Sequence, residues 1–505
     1  ASYSFFEPVI LLITLLTAVL INLGTNLVYP SVSIISFAAS GILQLGITMD
    51  YAIFFMYSYR EKRQALNPKE AASKAIPAVL PTVITAGLTT IGGFAALYFM
   101  KFQIGADIAK VVIKGIALSV LSVIILQPCL SIACDRLIQK TSHKPISLNF
   151  EKVTALTVRK RRILIPVLLV LIIGAFILQG MTQFSYLKIY HPKENPTPQE
   201  ALAEKLGNQL IMAVPLHTKT GGHKEYINEL LLDDKIDSVI GAYSAIDMTE
   251  ESLESLLNLI PPSSYKSGPL SALGTLFRKS DGEWYTLYLL GINGDTEDEN
   301  AFRASKHISE VSEKYFDNFY PLGILTGVTD MAEVTPLDFL KVSLFSALII
   351  LILLSINLKS FRKALVMVIL IEFAIWLNIS LNFIFGQKIN FMVYILISSV
   401  QLGCTVDYGI LLSHRFESDK MLCNNSIEGA IKASAKSLPG VALSASMIVS
   451  TCLAIVFVSD NLLVREMAWV LARGAFLSFL VVSLFLPPIL AYFNGISRKF
   501  SFRGK

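Results

Sequence analysis

The chain has 505 residues, 53% of them apolar and only 16% charged, a balance too hydrophobic for a soluble multidomain protein. Its net charge of +5 is modest, and the placement of its basic residues gives no nucleic-acid footprint. The five cysteines, Cys129, Cys134, Cys404, Cys423 and Cys452, lie in apolar segments or the loops beside them, so no disulfide framework, metal site or cofactor is expected.

Ten apolar runs are each long enough to cross a hydrocarbon core of about 30 Å, at roughly 7–26, 33–58, 75–99, 107–133, 162–182, 336–357, 362–385, 390–414, 436–459 and 468–494. The basic residues of the short loops collect on one side. Arg60, Lys62, Arg63, Lys69 and Lys74 follow the second run, Lys140 to Arg162 the fourth, Lys359 to Lys363 the sixth and Arg415 and Lys420 the eighth, with Arg498 to Lys505 at the end. By the positive-inside rule both termini are expected in the cytoplasm and the polar stretch 185–335 outside, for a chain in a bacterial cytoplasmic membrane. The string 148–158 ahead of the basic cluster 159–162 suits an amphipathic helix on the inner membrane surface.

In the polar stretch, strand patterns at 210–216 and 283–293 alternate with helical patterns at 198–208, 222–232, 249–259 and 297–317. Short strands are expected in 238–244 and 322–328, and a loop at 261–269. This order suggests split β-α-β units. The expected fold class is therefore a membrane all-α helical bundle with one extracytoplasmic α/β domain. Its segments are 1–134 (first repeat), 135–161 (basic linker), 162–184 (a span), 185–335 (the α/β domain), 336–495 (second repeat) and 496–505 (basic tail).

The two repeats are visible as strings. "LQLGITMDY" at 43–51 matches "VQLGCTVDY" at 400–408, "KGIALSVLSVIILQP" at 114–128 matches "RGAFLSFLVVSLFLP" at 473–487, and Pro81 with Val83 matches Pro439 with Val441. Spans one to four are thus a copy of spans seven to ten in the same orientation, which places Asp50 and Asp407 at equal depth. Arg60 lies ten residues after Asp50, about 15 Å of helix, which sets that depth near the midplane.

An ionised carboxylate there costs about 2.5–3.5 kcal/mol even on a mild scale. A carboxyl group taken out of water favours its neutral form, so it could hold or release a proton where a surface one could not. Tyr51 and Tyr408 follow each aspartate, about 100° around the helix, so that one member of each pair can reach across to the other copy. Gly46 and Gly403, one turn earlier, leave room for close helix packing. Thr48, Thr405, Thr85, Thr89, Ser444 and Ser446 are candidates to complete a polar patch. One such pair is as well explained as structural glue, whereas two at equal depth favour ion coupling. Glu372, with Leu16 at the equivalent place, is a weaker candidate. Lys114 and Arg473 recur in both copies and suit helix positioning or snorkelling.

The duplicated Gly-x-Thr-x-Asp-Tyr helices, the parallel repeats and an outer domain inserted after the first span of a repeat resemble the resistance-nodulation-division superfamily of transporters, in its MmpL-like branch. The resemblance covers essentially the whole chain. It implies twelve helices and two outer porter domains, so the chain is expected to be N-terminally incomplete by two helices and a porter domain. It further implies that Asp50, Tyr51, Asp407 and Tyr408 form a proton relay and that the protein, not an enzyme, exports lipids or other amphiphiles. Protons, membrane lipids, the missing N-terminal portion or a second copy would be its partners. The Lys-facing acid pairs of the drug-efflux branches are absent, and an arginine eight residues after the aspartate is kept as Arg415 but replaced by Ser58 in the first copy. A SecDF-like protein-export factor and a lipid-sensing or purely structural membrane protein are the alternatives.

Overall fold

The computed structural model describes residues 4–142, 150–186, 209–245, 248–260, 276–280, 282–294, 297–422 and 426–501. The chain divides into two compact units, one made of Ala1–Phe184 with Leu337–Lys505 and the other of Ser185–Pro336.

In the first unit the helices are α1 (Glu7–Gly24), α2 (Ile34–Arg63), α3 (Pro68–Ala95), α4 (Gln103–Ala133), α5 (Asp135–Lys140), α6 (Glu151–Arg159) and α7 (Arg161–Gly180). Their starts follow local chemistry. Ser33 accepts the Ser36 amide at the head of α2, and Asn67 accepts the Glu70 amide at the head of α3, with Pro68 in the first turn where its missing N–H costs nothing. Pro77, Pro81 and Pro128 sit inside helices, as membrane helices allow when neighbours cover the freed backbone.

The second unit contributes α8 (His223–Leu230), α9 (Ala242–Ala245), α10 (Glu250–Leu259) and α11 (Glu299–Tyr315), and the chain re-enters the first unit within α12 (Ile324–Asn357). There follow α13 (Phe361–Ile384), α14 (Phe391–Leu422), α15 (Ser426–Val458) and α16 (Leu462–Ser501). Among the described residues nine helices are long and apolar enough to cross a membrane. The 30-residue α2, part of whose side chains lie outside the described set, is long enough to be a tenth.

Helices α1 to α4 pack on one another as α13 to α16 do, and the two sets meet where α2 lies on α15 and α3 on α14. Helix α14 is almost wholly enclosed by protein, whereas α7 shows most of its surface. Helix α6 packs on α15 and α16, burying Thr154, Thr157 and Val158 while Val153 and Leu156 stay exposed. At the end of α2, Arg63 grips Asp135 of α5 through two nitrogens at 2.9 Å, and the Tyr59 hydroxyl donates to the same carboxylate at 2.9 Å.

The second unit carries strands β1 (Gln209–Pro215), β2 (Ile236–Gly241), β3 (Phe277–Ser280), β4 (Glu283–Ile292) and β5 (Tyr320–Leu322). Their order is β2-β4-β1-β5, all neighbours antiparallel, with β3 also pairing with β4. So β1 and β2, joined through α8, are parallel strands with β4 between them, and β4 and β5, joined through α11, flank β1: two split β-α-β units, as the sequence order suggests. The register sets Leu210 against Leu290, Met212 against Tyr288 and Val214 against Thr286, all buried, so one sheet face makes the core.

Two short strands expected from sequence are corrected. In 322–328 the strand stops at Leu322, because Gly323 at φ +109° breaks the extended path and Leu325 and Val328 then bury one helical face of α12. In 238–244 the strand ends at Gly241 and turns into α9. The helix expected at 198–208 and the loop at 261–269 lie outside the described residues.

His223 is enclosed in this core, stacked on Tyr243 with ring centroids 4.1 Å apart. Its Nε2–H donates to the Leu216 carbonyl at 2.8 Å, which leaves Nδ1 to accept from the Tyr288 hydroxyl at 2.9 Å. Burial lowers its pKa from the usual 6.5, the Leu216 carbonyl and Glu250 opposing that shift. The folded state therefore binds fewer protons than the unfolded one, so the stability of this unit is complete above about pH 6.5 and falls as pH drops below it. Denaturant titrations followed by Trp284 fluorescence, with Trp376 and Trp469 replaced by Phe, are expected to show that loss, and His223→Leu to remove the pH dependence at a cost of about 1–3 kcal/mol.

Candidate functional site

The site forms where the two repeats meet. Asp50 on α2 and Asp407 on α14 are both buried, at 3% and 6% exposure. Asp50 reaches across to the other repeat, where the Ser444 hydroxyl of α15 donates to its Oδ2 at 2.5 Å. Its Oδ1 is enclosed without a hydrogen-bond partner among the described residues, as is Oδ1 of Asp407.

Asp407 has different surroundings. It lines a cavity of about 210 Å³ together with Pro81, Thr82, Thr85 and Ala86 of α3, Phe54 of α2 and Asn357 of α12. Ala86 follows Pro81 by the same five residues that separate Ser444 from Pro439. The hydroxyl that grips Asp50 thus has a methyl group as its counterpart facing Asp407.

Tyr51 is fully buried and hydrogen-bonds the Thr90 hydroxyl of α3 at 3.0 Å, and Thr90 in turn lies 3.3 Å from the Gly403 carbonyl on α14. Asp50 and Tyr51 therefore each connect the first repeat to the second, one directly and one through Thr90. Tyr408 is buried at 2% exposure beside Asp407 on its helix. A Cβ on Gly403 would touch Thr90 Cα at 3.4 Å, and one on Gly93 would lie 3.1 Å from the Ser399 carbonyl, so α3 and α14 cross closely here.

Several expected members do not join. A Cβ on Gly46 would meet nothing within 4 Å, so this glycine does not serve close packing. In the equivalent stretch of α15, Ile448 and Thr451 stand where α3 has Thr90 and Gly93, and these bulkier residues do not admit the same approach. Ser446 is exposed and donates to its own helix at the Leu443 carbonyl, and Thr89 likewise to the carbonyls of Thr85 and Ala86. Thr48 and Thr405 donate to the carbonyls of Gln44 and Gln401, at 2.5 and 2.6 Å, and so brace their own helices. Thr85, half-buried, does line the cavity. Glu372 is half-buried on α13, outside that lining.

Above the aspartates in each repeat sits a network that sequence reading missed. Asn22 donates to Gln44 at 2.9 Å, and Gln44 donates to the Gly115 carbonyl and the Ser119 hydroxyl, both at 2.9 Å. In the second repeat Asn378 donates to Gln401 at 2.9 Å, and Gln401 to the Gly474 carbonyl at 3.2 Å and Ser478 at 3.0 Å. Lys114 binds the Asn22 carbonyl and Asn26 in the one, and Arg473 binds Asn378 and Asn382 in the other, so both cations position helices. The matched strings around Gln44 and Gln401 held the signal. An amide repeated inside an apolar run needs a partner as a charge does.

Gly115 and Gly474 are enclosed by these amides, and a Cβ on either would collide with the Asn and Gln side chains. Gly115→Ala and Gly474→Ala are therefore expected to destabilise the protein by about 1–3 kcal/mol in detergent thermal melts, by overpacking and loss of the amide bonds. Gly440→Ala, whose Cβ would find Leu411 at 3.9 Å, is expected to be neutral.

Among relatives of known sequence, the chain is 32% identical over 100 residues to the membrane protein MJ1562 of Methanocaldococcus jannaschii, over 20% of this chain and 26% of that one. Among solved structures it resembles SecDF of Thermus thermophilus, described as a translocon-associated membrane protein, with a TM-score of 0.58 at 12% identity over 96% of this chain and 58% of that one. A second SecDF structure, in a super-membrane-facing form, gives 0.55 at 12% identity over 93% and 56%. At that identity the likeness is one of fold, and the chain spans little more than half of each SecDF chain. The MMPL family model matches residues 2–160 and 280–503, which take in both aspartate helices and both amide networks, and the chain belongs to the MMPL family.

Proposed function

We propose that the chain acts in a proton-coupled membrane exporter of lipids or other amphiphiles, with Asp50, Tyr51, Asp407 and Tyr408 as the proton relay. One observation carries this reading: each repeat buries a carboxyl at the contact between repeats, and one oxygen of each has no donor among the described residues. A proton on that oxygen would satisfy it, and a change in the packing of α2 on α15 and α3 on α14 would alter who satisfies it. Proton transfer and repeat rearrangement would then be one event. A charge moving through 100 mV supplies about 2.3 kcal/mol, enough with one or two protons for a modest uphill step.

Membership of the MMPL family and a multi-pass helical fold support a transport role rather than catalysis. The orientation proposed is the one given by the basic loops, with both termini in the cytoplasm and 185–335 outside. Segment 135–161 would be a cytoplasmic linker and 496–505 a cytoplasmic tail. The cargo is proposed as amphiphilic because the repeats sit in lipid. Native mass spectrometry of the purified protein, scored for co-purifying lipid, would identify its class.

In proteoliposomes under a pH gradient, wild-type protein is expected to move a fluorescent analogue of that lipid, whereas Asp50→Asn and Asp407→Asn abolish movement and leave folding intact. Tyr51→Phe and Tyr408→Phe lose a hydrogen bond but no titrating group, so their rates are expected to fall less, by about tenfold for about 1.4 kcal/mol. Gradient-driven movement by either Asn variant at the wild-type rate would refute the relay. The fold likeness to SecDF favours a role in protein export as the second reading. It predicts stimulation of precursor translocation in the same vesicles and no lipid movement.

A further inference from the structure

The cavity at Asp407 has a second ionisable wall. His414 lines it, seven residues after Asp407 and therefore on the same side of α14, two turns or about 10 Å nearer the end that carries Arg415. The His414 ring is exposed, and its Nε2 hydrogen-bonds the Asn357 side chain of α12 at 3.0 Å. A buried carboxyl and an exposed imidazole thus share the lining of one cavity, to which Thr82 and Thr85 also contribute. Its volume of about 210 Å³ is enough for a short file of waters, each occupying about 30 Å³.

The first repeat places a different side chain at the equivalent position. The position equivalent to His414 is Tyr57, whose ring lies under the Arg60 guanidinium at 5.5 Å, and Asp50 is not among the residues that line the cavity. Among the described residues the charged groups that act on His414 are Lys363 of α13 and Glu417 of its own helix, which are paired with each other; Arg415 is next in sequence and Asp407 shares the cavity lining. The cavity residues from α2, α3 and α12 carry no charge.

We propose that His414 relays protons between the aqueous surface and Asp407, so that Asp407, and not Asp50, is the carboxyl that exchanges protons with solvent. The inference rests on the proton-coupling reading above and adds to it a port and a direction. In the release step that inward proton flow requires at this end, the O–H bond of Asp407 breaks and its proton passes along the cavity waters to the neutral His414 imidazole, where an N–H bond forms; the carboxylate is left behind and the imidazolium gives its proton to solvent. After a drop in pH the same steps run in reverse and load Asp407. Asp50 exchanges its proton only later, within the protein, when the contact with Ser444 changes.

The test uses the full chain in lipid nanodiscs and reads the two carboxyl bands by infrared difference spectroscopy after a pH jump, the Asp50 band being the one lost in Asp50→Asn and the other that of Asp407. Protonation of Asp407 is expected to precede that of Asp50. His414→Gln, which keeps a donor for Asn357 but cannot shuttle a proton, is expected to slow the Asp407 step about a hundredfold, and added imidazole to restore it. An unchanged Asp50 amplitude shows that the helical block remains folded. An Asp407 rate unaltered by His414→Gln, or slowed but not rescued by imidazole, would overturn the relay role of His414 while leaving proton coupling in place. If neither carboxyl band responds to pH, proton coupling itself is refuted and the port falls with it.

Discussion

A carboxyl group placed among apolar helices must be given a donor, a cation or a proton of its own, and this chain buries one in each repeat. Much of the arrangement of the membrane unit follows from that. The helices that carry Asp50 and Asp407 sit inside their blocks, and the outer helices take the lipid-facing surface. The contact between repeats runs through α3 and α15, because those helices bring the hydroxyls of Thr90 and Ser444 to it. The site is thus a product of duplication: Asp50 takes its hydroxyl donor from the other repeat, and Asp407 lines a cavity walled by α3 of the other repeat.

The amide networks explain how such a contact can be held in register. Each one ties three helices of a repeat together through bonds of 2.9 to 3.2 Å that have little competition inside a membrane. Gln44 and Gln401 lie six residues before the aspartates on the same helices, so fixing the amide fixes the height of the acid. Lys114 and Arg473 reinforce the clamp from one side, the arginine with two nitrogens where the lysine has one. A rigid frame around a site with unsatisfied oxygens confines any rearrangement to the contact between the repeats.

The aspartates, the repeats and the fold class were legible because each shows as a contradiction or a recurrence in one dimension. A charge in an apolar run is visible as such, and so is a nine-residue string seen twice. The members of the patch were not, because neighbours in sequence stand about 100° apart on a helix and only the crossing of two helices decides between them. Thr90 rather than Thr89, and Ser444 rather than Ser446, follow from where α3 meets α14 and where α2 meets α15. Gly46 looked like Gly403 in the string, yet only Gly403 has a helix against it, since the helix opposite a glycine is not written beside it. In the α/β unit, alternation located the long strands but not the end of β5, where one left-handed glycine outweighed an apolar run.

The two repeats agree where they hold shape and differ where they touch the acids. Asn22, Asn26, Gln44, Gly115 and Ser119 recur as Asn378, Asn382, Gln401, Gly474 and Ser478, whereas Ala86 faces the site from one repeat and Ser444 from the other, with Tyr57 and His414 a second unlike pair. Two acids in identical surroundings would have equal claims on a shared proton, and a relay between them would have no preferred order. Unequal partners remove that degeneracy. A hydroxyl donates to Asp50, and the methyl of Ala86 offers Asp407 no such bond. For the coupling proposed, the order of protonation is therefore set by side chains that differ, and the distance over which it acts by side chains that recur.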